Sequence, residues 1–395
     1  MIKKLLLLSG IAFLLSACNP KLESIFNAGA EFDEPFYLEL PFTTVNDYII
    51  IEAQINGRKK RFALQTGLPT IINQSLFLDL NENIRGEVMV HDLLGQSERL
   101  LVCEVDRIDI AGTPFLNVPV AVIDDETPLL KCLQVDGIIG SNMLRHTILH
   151  LDKKHGAVVI TNDIYKLSGV NINADIPMEK NGQYSSPMVY LNLNEKAKER
   201  VIFDTGAKSF LSTTNEHVTA LLEYKVLESV ESAYGFPGEF GLFGNRNSKN
   251  LYQSKLNRVD LGLMSFFNVV TQSLGDTKIA RLGLPLLDFG TVTIDYERSK
   301  FYVQGYEKKF KVDLNQMRYP LSPALVDGNW LVGVVWQESF LPLKDQRILA
   351  VGEEEIPAEI CPSLIHGIPY FNRSPLEIAT RDFNGNIRKS KLLAY

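Results

Sequence analysis

In two short segments of this chain, an apolar strand ends in a loop that could position a reactive side chain. Residues 201–207 read Val-Ile-Phe-Asp-Thr-Gly-Ala, and residues 61–67 read Arg-Phe-Ala-Leu-Gln-Thr-Gly. A β-branched apolar run predicts a buried strand. Threonine can hydrogen-bond to nearby backbone, and glycine permits turns that other residues avoid. Asp204 is therefore a candidate catalytic carboxylate at the base of a cleft, and Gln65 occupies the same place in the earlier segment.

A second pair of segments repeats in the same order along the chain. Residues 135–144 carry an apolar-apolar-Gly pattern that returns at residues 281–287. Residues 140–152 align without a gap with residues 283–295, because 140 plus 143 is 283 and 152 plus 143 is 295. Two patterns repeated in register indicate an internal duplication.

The Asp-Thr-Gly-Ala run after a hydrophobic strand resembles the active-site motif of aspartic peptidases, especially the retropepsin-like group. The apolar-apolar-Gly pattern resembles the second signature of that family, and the resemblance covers roughly residues 36 to 305. It implies a mainly β fold with two retropepsin-like β-barrel lobes in tandem. It also implies a catalytic role for Asp204, a degenerate partner position at Gln65, and substrate binding by the residues around the two loops: Thr66, Gly67, Thr205, Gly206 and Ala207.

Two hairpins are expected to cover the cleft of such a fold. Residues 87–101 predict a hairpin that turns near residues 94–96, which would be the flap of the first lobe. Residues 233–250, rich in glycine and phenylalanine, are expected to form a mobile second flap. Because both lobes lie in one chain, a monomer can form the whole cleft.

The character of the chain changes after Gln304. Residues 330–336 predict a strand, and residues 343–352 resemble a degenerate PDZ domain in which Lys344 replaces the usual glycine. We expect a small α+β PDZ-like domain that either binds peptides by β-augmentation or caps the second lobe. The predicted division is a lipoprotein signal peptide (1–17), a tether (18–34), a first lobe with Gln-Thr-Gly (35–165), a second lobe with Asp-Thr-Gly (166–306) and the PDZ-like domain (307–395).

The glutamine at position 65 bears directly on peptidase activity. An aspartic peptidase needs two carboxyl groups close enough to share one proton, so that one activates water and the other polarises the substrate carbonyl. The Gln65 amide has no titratable proton. Leu68 is a second departure, since the family usually has alanine or serine there. We therefore expect little or no peptidase activity.

Purely structural roles for the same residues are the alternative. Gln65 could simply end a strand, and Asp204 could hydrogen-bond only the amides of its own loop rather than also line a groove. Thr66 and Thr205 are expected to tie the two loops together. Three acids are better explained as turn and strand-end residues than as catalytic groups: Asp136, Asp152 and Asp295.

The N-terminus predicts export. Lys3 and Lys4 precede an apolar run over residues 5–15, which is typical of a secretory signal and short for a membrane span. Residues 15–18, Leu-Ser-Ala-Cys, resemble a bacterial lipobox, in which Cys18 is lipidated and anchors the soluble body to a membrane outside the cytoplasm. A plain signal peptide is the alternative. In that compartment a disulfide between Cys103 and Cys132 is possible, and so are three free thiols at Cys103, Cys132 and Cys361.

Composition excludes several other classes of function. The formal net charge is −7 and there is no basic stripe, which argues against nucleic acid as a partner. His146, His150 and His155 have a spacing that alternating strand geometry would scatter, so no metal site is expected. No cofactor motif is present.

Three functions fit these patterns. The first is a cell-envelope lipoprotein of the retropepsin-like family that has lost peptidase activity and binds a peptide or protein in its cleft. The second is an active aspartic endopeptidase that pairs Asp204 with another acid or with a second chain. The third is a structural envelope protein whose lobes and PDZ-like domain are interaction surfaces.

Overall fold

A computed structural model describes residues 22–32, 34–368 and 374–395. The predicted signal peptide and Cys18 lie outside the described residues. The prediction of a mainly β fold is confirmed, with 48% of residues in strands and 14% in helices. Within the described part of the chain, no helix is long and apolar enough to cross a membrane.

The first half of the chain forms eleven strands with three short helices. The strands are β1 (Tyr37–Pro41), β2 (Thr43–Val45), β3 (Tyr48–Ile55), β4 (Arg58–Gln65), β5 (Ile71–Asn73), β6 (Ile84–His91), β7 (Ser97–Ile110), β8 (Thr113–Ile123), β9 (Gly137–Gly140), β10 (Ile148–Asp152) and β11 (Ala157–Thr161). The helices are α1 (Gln74–Leu80), α2 (Pro128–Leu133) and α3 (Ser141–Leu144), with 3₁₀ turns at Leu22–Asn27 and Ile164–Lys166.

The second half repeats this order with one longer helix. Its strands are β12 (Ile176–Pro177), β13 (Glu179–Lys180), β14 (Pro187–Leu193), β15 (Ala197–Asp204), β16 (Leu211–Thr213), β17 (Val230–Gly235), β18 (Lys249–Leu261), β19 (Met264–Ser273), β20 (Ala280–Gly283), β21 (Gly290–Asp295) and β22 (Lys300–Gly305). The helix α4 is Asn215–Glu223, and 3₁₀ turns lie at Leu284–Asp288 and Tyr306–Lys308.

The C-terminal part forms a separate antiparallel sheet. Its elements are β24 (Leu321–Val326), β25 (Asn329–Val335), a 3₁₀ turn (Glu338–Leu343), β26 (Arg347–Val351), β27 (Glu354–Glu355), α5 (Ile360–His366), β28 (Leu376–Arg381) and β29 (Ile387–Leu392), and they follow the short strand β23 (Lys311–Asp313). The sheet order is β24-β25-β26-β28-β29, with β27 beside β26. β23 pairs instead with β19 of the second half.

Each half closes a six-stranded barrel. In the first half the order β3-β4-β9-β5-β8-β7 is closed by pairing of β3 with β7, and in the second half the order β14-β15-β20-β16-β19-β18 is closed by β14 with β18. β6 and β17 extend the two barrels as hairpins with β7 and β18. The two barrels thus have the same strand order.

A third sheet joins the barrels. Its order is β1-β11-β10-β21-β22-β12, so that β10 of the first half pairs with β21 of the second. His150 lies opposite Thr293 at the centre of this antiparallel pairing, and His150 Nδ1 is 2.7 Å from Thr293 Oγ1. Leu149 pairs with Ile294 and Leu151 with Val292, so equivalent residues of the repeat meet symmetrically around this point.

Local chemistry explains why these strands turn where they do. Asn56 and Gly57 connect β3 and β4 as a two-residue hairpin with positive φ at both positions, 50° and 72°. Asn-Gly favours this geometry because both residues tolerate left-handed backbone. One apolar core spans both barrels, since a single cluster of buried side chains includes Phe62 and Ile139 from the first barrel and Phe203 and Leu282 from the second.

The disulfide differs from the pairing considered above. Cys132 of α2 is bonded to Cys361 of α5, whereas Cys103 is a buried free thiol. A Cys103–Cys132 bond is therefore wrong, and so is the alternative of three free thiols. The sequence separation of 229 residues made the correct pair invisible to local reasoning.

Candidate functional site

The two loops singled out in the sequence end equivalent strands of the two barrels. β4 runs parallel to β9 with Gln65 opposite Gly140, and β15 runs parallel to β20 with Asp204 opposite Gly283. The same strand pairing therefore delivers Gln65 and Asp204 to the same edge of their barrels.

Thr66 and Thr205 hold the loops together by reciprocal hydrogen bonds. Each backbone N–H donates to the hydroxyl of the other threonine at 3.1 Å. The Thr66 hydroxyl donates to the Phe203 carbonyl at 2.6 Å, and the Thr205 hydroxyl donates to the Leu64 carbonyl at 2.7 Å. Both threonines are buried. This four-bond clasp fixes the distance between the loops.

Gln65 and Asp204 lie side by side against the opposite loop's glycine. A Cβ added to Gly67 would stand 2.2 Å from Asp204 Oδ2, and one added to Gly206 would stand 2.8 Å from Gln65 Oε1. Only glycine leaves room for these contacts. The structure therefore brings together Gln65, Asp204 and both glycine turns at one buried point.

Arg281 is the residue of this site that sequence reasoning missed. Its Nη1 donates to Asp204 Oδ2 at 2.6 Å, and the two side chains are 10% and 3% exposed. Asp204 Oδ1 also accepts from the Gly206 N–H at 2.8 Å. The available signal was a charged residue inside a segment that otherwise follows the apolar-apolar-Gly pattern.

Two hydrogen-bond donors near Asp204 are left without a protein partner. They are Gln65 Nε2 and Arg281 Nε, both buried. Buried polar groups are normally paired with protein or with water. The site can therefore donate hydrogen bonds to a bound acceptor, such as water or a peptide carbonyl, but it presents an amide where a second carboxyl group would be needed for proton sharing.

Part of the predicted second flap is buried against the first barrel. Residues 239–245 are buried without interruption, including Phe240, Leu242 and Phe243. These three side chains join a cluster that contains Tyr48 and Leu68 of the first barrel. We call residues 236–245 the groove segment, because it runs between the tip of the β6–β7 hairpin and the loop that follows Asp204.

Polar contacts fix both edges of the groove segment. Glu239 accepts hydrogen bonds from the N–H groups of Lys208 and Ser209, at 3.1 and 2.6 Å. At the other edge, Asp92 in the hairpin tip accepts from the Phe243 N–H at 3.3 Å. The Gln96 amide also donates to the Gly244 carbonyl. The segment thus bridges the two barrels across the groove.

Burial shapes the electrostatics of the groove. Burial raises the pKa of Asp92 to about 6, although hydrogen bonds from the N–H groups of Gln96, Phe243 and Leu94 and the charge of Arg281 act in the opposite direction. Burial lowers the pKa of Lys208 to about 8, and its ammonium lies 4.3 Å from the centroid of the Tyr48 ring. Burial, with the nearby charges of Glu239 and Asp204, raises the pKa of the Tyr48 hydroxyl. The groove is therefore a poor environment for ionised side chains without partners.

The C-terminal sheet rests on the start of the groove segment. The Phe236 N–H donates to the Gly333 carbonyl of β25 at 3.0 Å. A Cβ on Gly235 would stand 2.1 Å from the same carbonyl oxygen. The disulfide and the Asn46 amide, which donates to the Leu364 carbonyl at 2.5 Å, connect this sheet to the first half of the chain. The C-terminal sheet therefore contacts both halves beside the groove.

The remaining acids and histidines of the sequence analysis lie elsewhere. Asp136 accepts from the Arg61 N–H, and Asp295 accepts from the N–H and guanidinium of Arg298. His155 contacts Asp152 at 2.7 Å rather than His150. Among residues 22–32, 34–368 and 374–395, no group of three or more His, Cys, Asp or Glu side chains could hold a metal ion.

Comparison with known proteins gives partial structural likenesses. No family model matches the chain, and no curated protein matches it. Among solved structures, basic 7S globulin from soybean is similar over 68% of this chain and 95% of its own, with 11% identity and a TM-score of 0.41. A retropepsin-like aspartic protease from Rickettsia conorii is similar over 32% of this chain and 92% of its own, with 14% identity and a TM-score of 0.25.

Proposed function

We propose that this protein is an aspartic-peptidase-like binding protein without peptidase activity, which takes an extended apolar polypeptide segment in the groove beside Asp204. The observation that carries the proposal is the pairing of Asp204 with Arg281 opposite the amide of Gln65. A proton-sharing pair of carboxyl groups is replaced by an ion pair and an amide. General acid–base help is worth about 10²–10⁴-fold in rate, so the loss of one partner removes at least that much.

Binding is supported by what already lies in the groove. Phe240, Leu242 and Phe243 bury apolar side chains there, and the Phe243 N–H and the Gly244 carbonyl bond to the side chains of Asp92 and Gln96 in the hairpin tip. A polypeptide ligand makes the same two kinds of contact when it adds to a groove. An external ligand must displace the groove segment, so the resting protein is self-occluded.

The first experiment opens the groove. Residues 238–245 are replaced by a short Gly-Ser linker, and a library of fluorescent peptides rich in Phe and Leu is titrated against the replaced and unaltered proteins by anisotropy. We expect the opened protein to bind these peptides at least about tenfold more tightly than the unaltered protein, which must first release buried aromatic side chains. Phe240→Ala with Phe243→Ala should give a smaller gain. Phe383→Ala is the matched control, because Phe383 is 91% exposed.

The second experiment tests for peptidase activity. Neither the unaltered nor the opened protein should cleave the library, whereas Gln65→Asp with Arg281→Ile in the opened protein restores two carboxyl groups and should cleave. Pepstatin-sensitive cleavage by the unaltered protein, lost in Asp204→Asn, would establish the active-peptidase alternative instead. An opened protein that binds no peptide would favour a purely structural role.

We also propose that the protein is a cell-envelope lipoprotein anchored through Cys18. The lipobox-like residues 15–18 support this, and so does the Cys132–Cys361 disulfide, because such bonds persist mainly outside the reducing cytoplasm. Labelling of cells with a palmitate analogue should mark the protein and fail for Cys18→Ser. An unaltered protein that takes up no label and fractionates as a soluble exported protein would favour the plain signal peptide.

The C-terminal sheet is proposed to act as a cap rather than as a second, PDZ-like peptide site. Its contacts with the groove segment through Gly333, and its disulfide to α2, support this role. Hydrogen exchange of the groove segment should accelerate when Cys132 and Cys361 are both replaced by serine. Unchanged exchange would argue against the cap.

A further inference from the structure

The last hairpin of the chain exposes apolar side chains at its tip. β28 and β29 pair with Arg381 opposite Ile387, and residues 382–386 form the turn between them. Phe383 in this turn is 91% exposed and Ile387 is 60% exposed. Of the large apolar side chains in the described part of the chain, Phe383 is the most exposed. Single exposed apolar side chains are common, so the surroundings decide what this one means.

The turn that carries Phe383 is well ordered. The Asp382 carboxylate accepts hydrogen bonds from the N–H groups of Asn384 and Asn386, at 2.9 and 2.8 Å, and from the Asn386 side-chain amide at 2.9 Å. Gly385 supplies the left-handed backbone of the turn, with φ of 85°. The hydrogen bonds from Asn386 also lower the pKa of Asp382, which therefore keeps its negative charge. Phe383 is thus displayed on a fixed turn.

Basic side chains surround this tip. Residues 376–392 contain four basic and two acidic residues, an excess of two positive charges: Arg381, Arg388, Lys389 and Lys391 against Glu377 and Asp382. Lys389 is paired with Glu377 at 3.4 Å. Arg381, Arg388 and Lys391 are exposed, and their side chains have no hydrogen-bond or ion-pair partner within the described residues. The chain as a whole has a formal charge of −7, so this hairpin is a local exception.

Charge is separated along the C-terminal sheet. Arg381 pairs with Arg347 at the start of β26, whereas Ile378 pairs with Val351 at its end. The three glutamates at residues 353–355 follow β26, so they lie at the opposite end of the sheet from the hairpin tip. Residues 344–347, at the tip end, add two basic residues and one acid. Because charges more than about 8 Å apart are largely screened at physiological ionic strength, a surface that approaches the tip meets this local positive charge.

A protective role explains only part of this arrangement. β29 is an edge strand, and charged side chains, lysines above all, keep exposed edges from pairing with other chains. That role accounts for Lys389 and Lys391 but not for the exposed Phe383 and Ile387. Apolar side chains flanked by basic residues suit the surface of an anionic membrane, where the apolar groups enter the interface and the cations contact the headgroups.

We propose that the tip of the β28–β29 hairpin binds an anionic phospholipid bilayer. Phe383 and Ile387 enter the interface, while Arg381, Arg388 and Lys391 contact lipid phosphates. Each basic residue near such a surface strengthens association on the order of fivefold. The proposal depends neither on the groove beside Asp204 nor on lipid attachment at Cys18. An acidic polypeptide is the other partner with complementary charge, and the test distinguishes it.

The test uses the full chain purified from cells and reads the hairpin tip by tryptophan fluorescence. Phe383→Trp is combined with vesicles that contain brominated lipid, a quencher that acts at the membrane. The two native tryptophans, Trp330 and Trp336, are buried, and their signal is subtracted with the unaltered protein. Tyr165→Trp is the matched control, because Tyr165 is 81% exposed elsewhere on the molecule. Vesicles of phosphatidylcholine are compared with vesicles that also contain phosphatidylglycerol.

The contribution of charge is tested in the Phe383→Trp background. One variant combines Arg381→Gln, Arg388→Gln and Lys391→Gln. Its control combines three substitutions of exposed lysines that have no ion-pair partner within the described residues, and so has the same net charge: Lys166→Gln, Lys198→Gln and Lys278→Gln. Thermal melting checks that all variants fold. A lipid anchor, where attached, is common to all of them.

We expect phosphatidylglycerol to increase quenching of Phe383→Trp at least about twofold, and the hairpin charge variant to lose that increase while its control keeps it. Quenching of Tyr165→Trp should stay low in both kinds of vesicle. Absence of quenching in Phe383→Trp, equal quenching in Tyr165→Trp, or equal loss in the two charge variants overturns the proposal. Polyglutamate that shifts the emission of Phe383→Trp, when vesicles do not quench it, identifies an acidic polypeptide as the partner and also overturns the bilayer.

Discussion

Arg281 occupies the position in β20 that Ile138 occupies in β9. Arg281 pairs with Ile202 of β15, and Ile138 pairs with Ala63 of β4, at the same distance from the two loops. One barrel thus presents an aliphatic side chain at this point, whereas the other presents a guanidinium that bonds Asp204 at 2.6 Å. The departure from the repeat is located where it changes the chemistry of the carboxylate.

The ion pair should be strongly coupled. Arg281→Ile leaves a buried carboxylate without its partner and should lower the free energy of unfolding by about 3–5 kcal/mol. Adding Asp204→Asn removes the unpaired charge, so the double variant should recover part of that loss. Urea denaturation of the four proteins gives the coupling energy, expected at about 1–3 kcal/mol. The exposed pair Arg99–Glu87 is the control cycle, expected below about 1 kcal/mol. Equal coupling energies in the two cycles would contradict a strong ion pair between Arg281 and Asp204.

The threonine clasp should matter to stability far more than an exposed threonine. Thr66→Val removes an acceptor for the Thr205 N–H and a donor to the Phe203 carbonyl, and each buried group left unpaired costs about 1–3 kcal/mol. Thr205→Val should cost a similar amount, and the two together less than their sum. Thr44→Val, at an exposed strand position, should be nearly neutral. Chemical denaturation checks all four, and full additivity would show that the two side chains do not act together.

The disulfide should stabilise the molecule through its long span. A cross-link closing 229 residues is worth up to about 5 kcal/mol in the chain-entropy description. Cys132→Ser with Cys361→Ser should therefore lower the unfolding midpoint and expose residues 307–395 to limited proteolysis. Cys103→Ala keeps the bond and serves as control. A protease pattern identical to that of the unaltered protein would contradict this role.

Asp92 should give stability a dependence on pH in the mildly acidic range. Its pKa is raised from 3.8 to about 6 in the folded protein, so the native state binds a proton more readily than the unfolded state. The stability that it contributes is full below pH 4 and is lost as the pH rises through 6, on the order of 3 kcal/mol. Asp92→Asn has no titrating carboxyl group and so lacks this pH-dependent change in the free energy of unfolding. The variant should therefore gain stability relative to the unaltered protein between pH 4 and 7, measured by urea denaturation, while Asp79→Asn, at an exposed carboxylate, should not.

Sequence reasoning succeeded where the determinants were local or periodic. The Asn56-Gly57 turn, the bounds of β3 and the hairpin of β6 and β7 follow from turn chemistry and alternating side chains. The repeat offset of 143 also placed β10 and β21 in corresponding positions, and these two strands pair in the structure. Such features are encoded within a few residues or by repetition.

Features that depend on distant partners could not be obtained in this way. The charge of Arg281 stands out in an otherwise apolar segment, but nothing near it in the chain identifies Asp204 as its partner, and nothing near Cys132 identifies Cys361. The groove segment has the glycine and phenylalanine content of a flap, but it is hydrogen-bonded to Asp92 and Lys208, which lie in other parts of the chain. Its composition alone therefore suggested a mobile cover rather than a packed occupant.

The symmetric meeting of strands around His150 and Thr293 limits how this molecule can move. The two barrels share the backbone hydrogen bonds between β10 and β21. They therefore cannot move apart as rigid bodies without breaking these bonds. Any opening of the groove beside Asp204 is therefore expected in the hairpins outside this ladder, β6–β7 and β17–β18, and in the C-terminal sheet linked through Cys361.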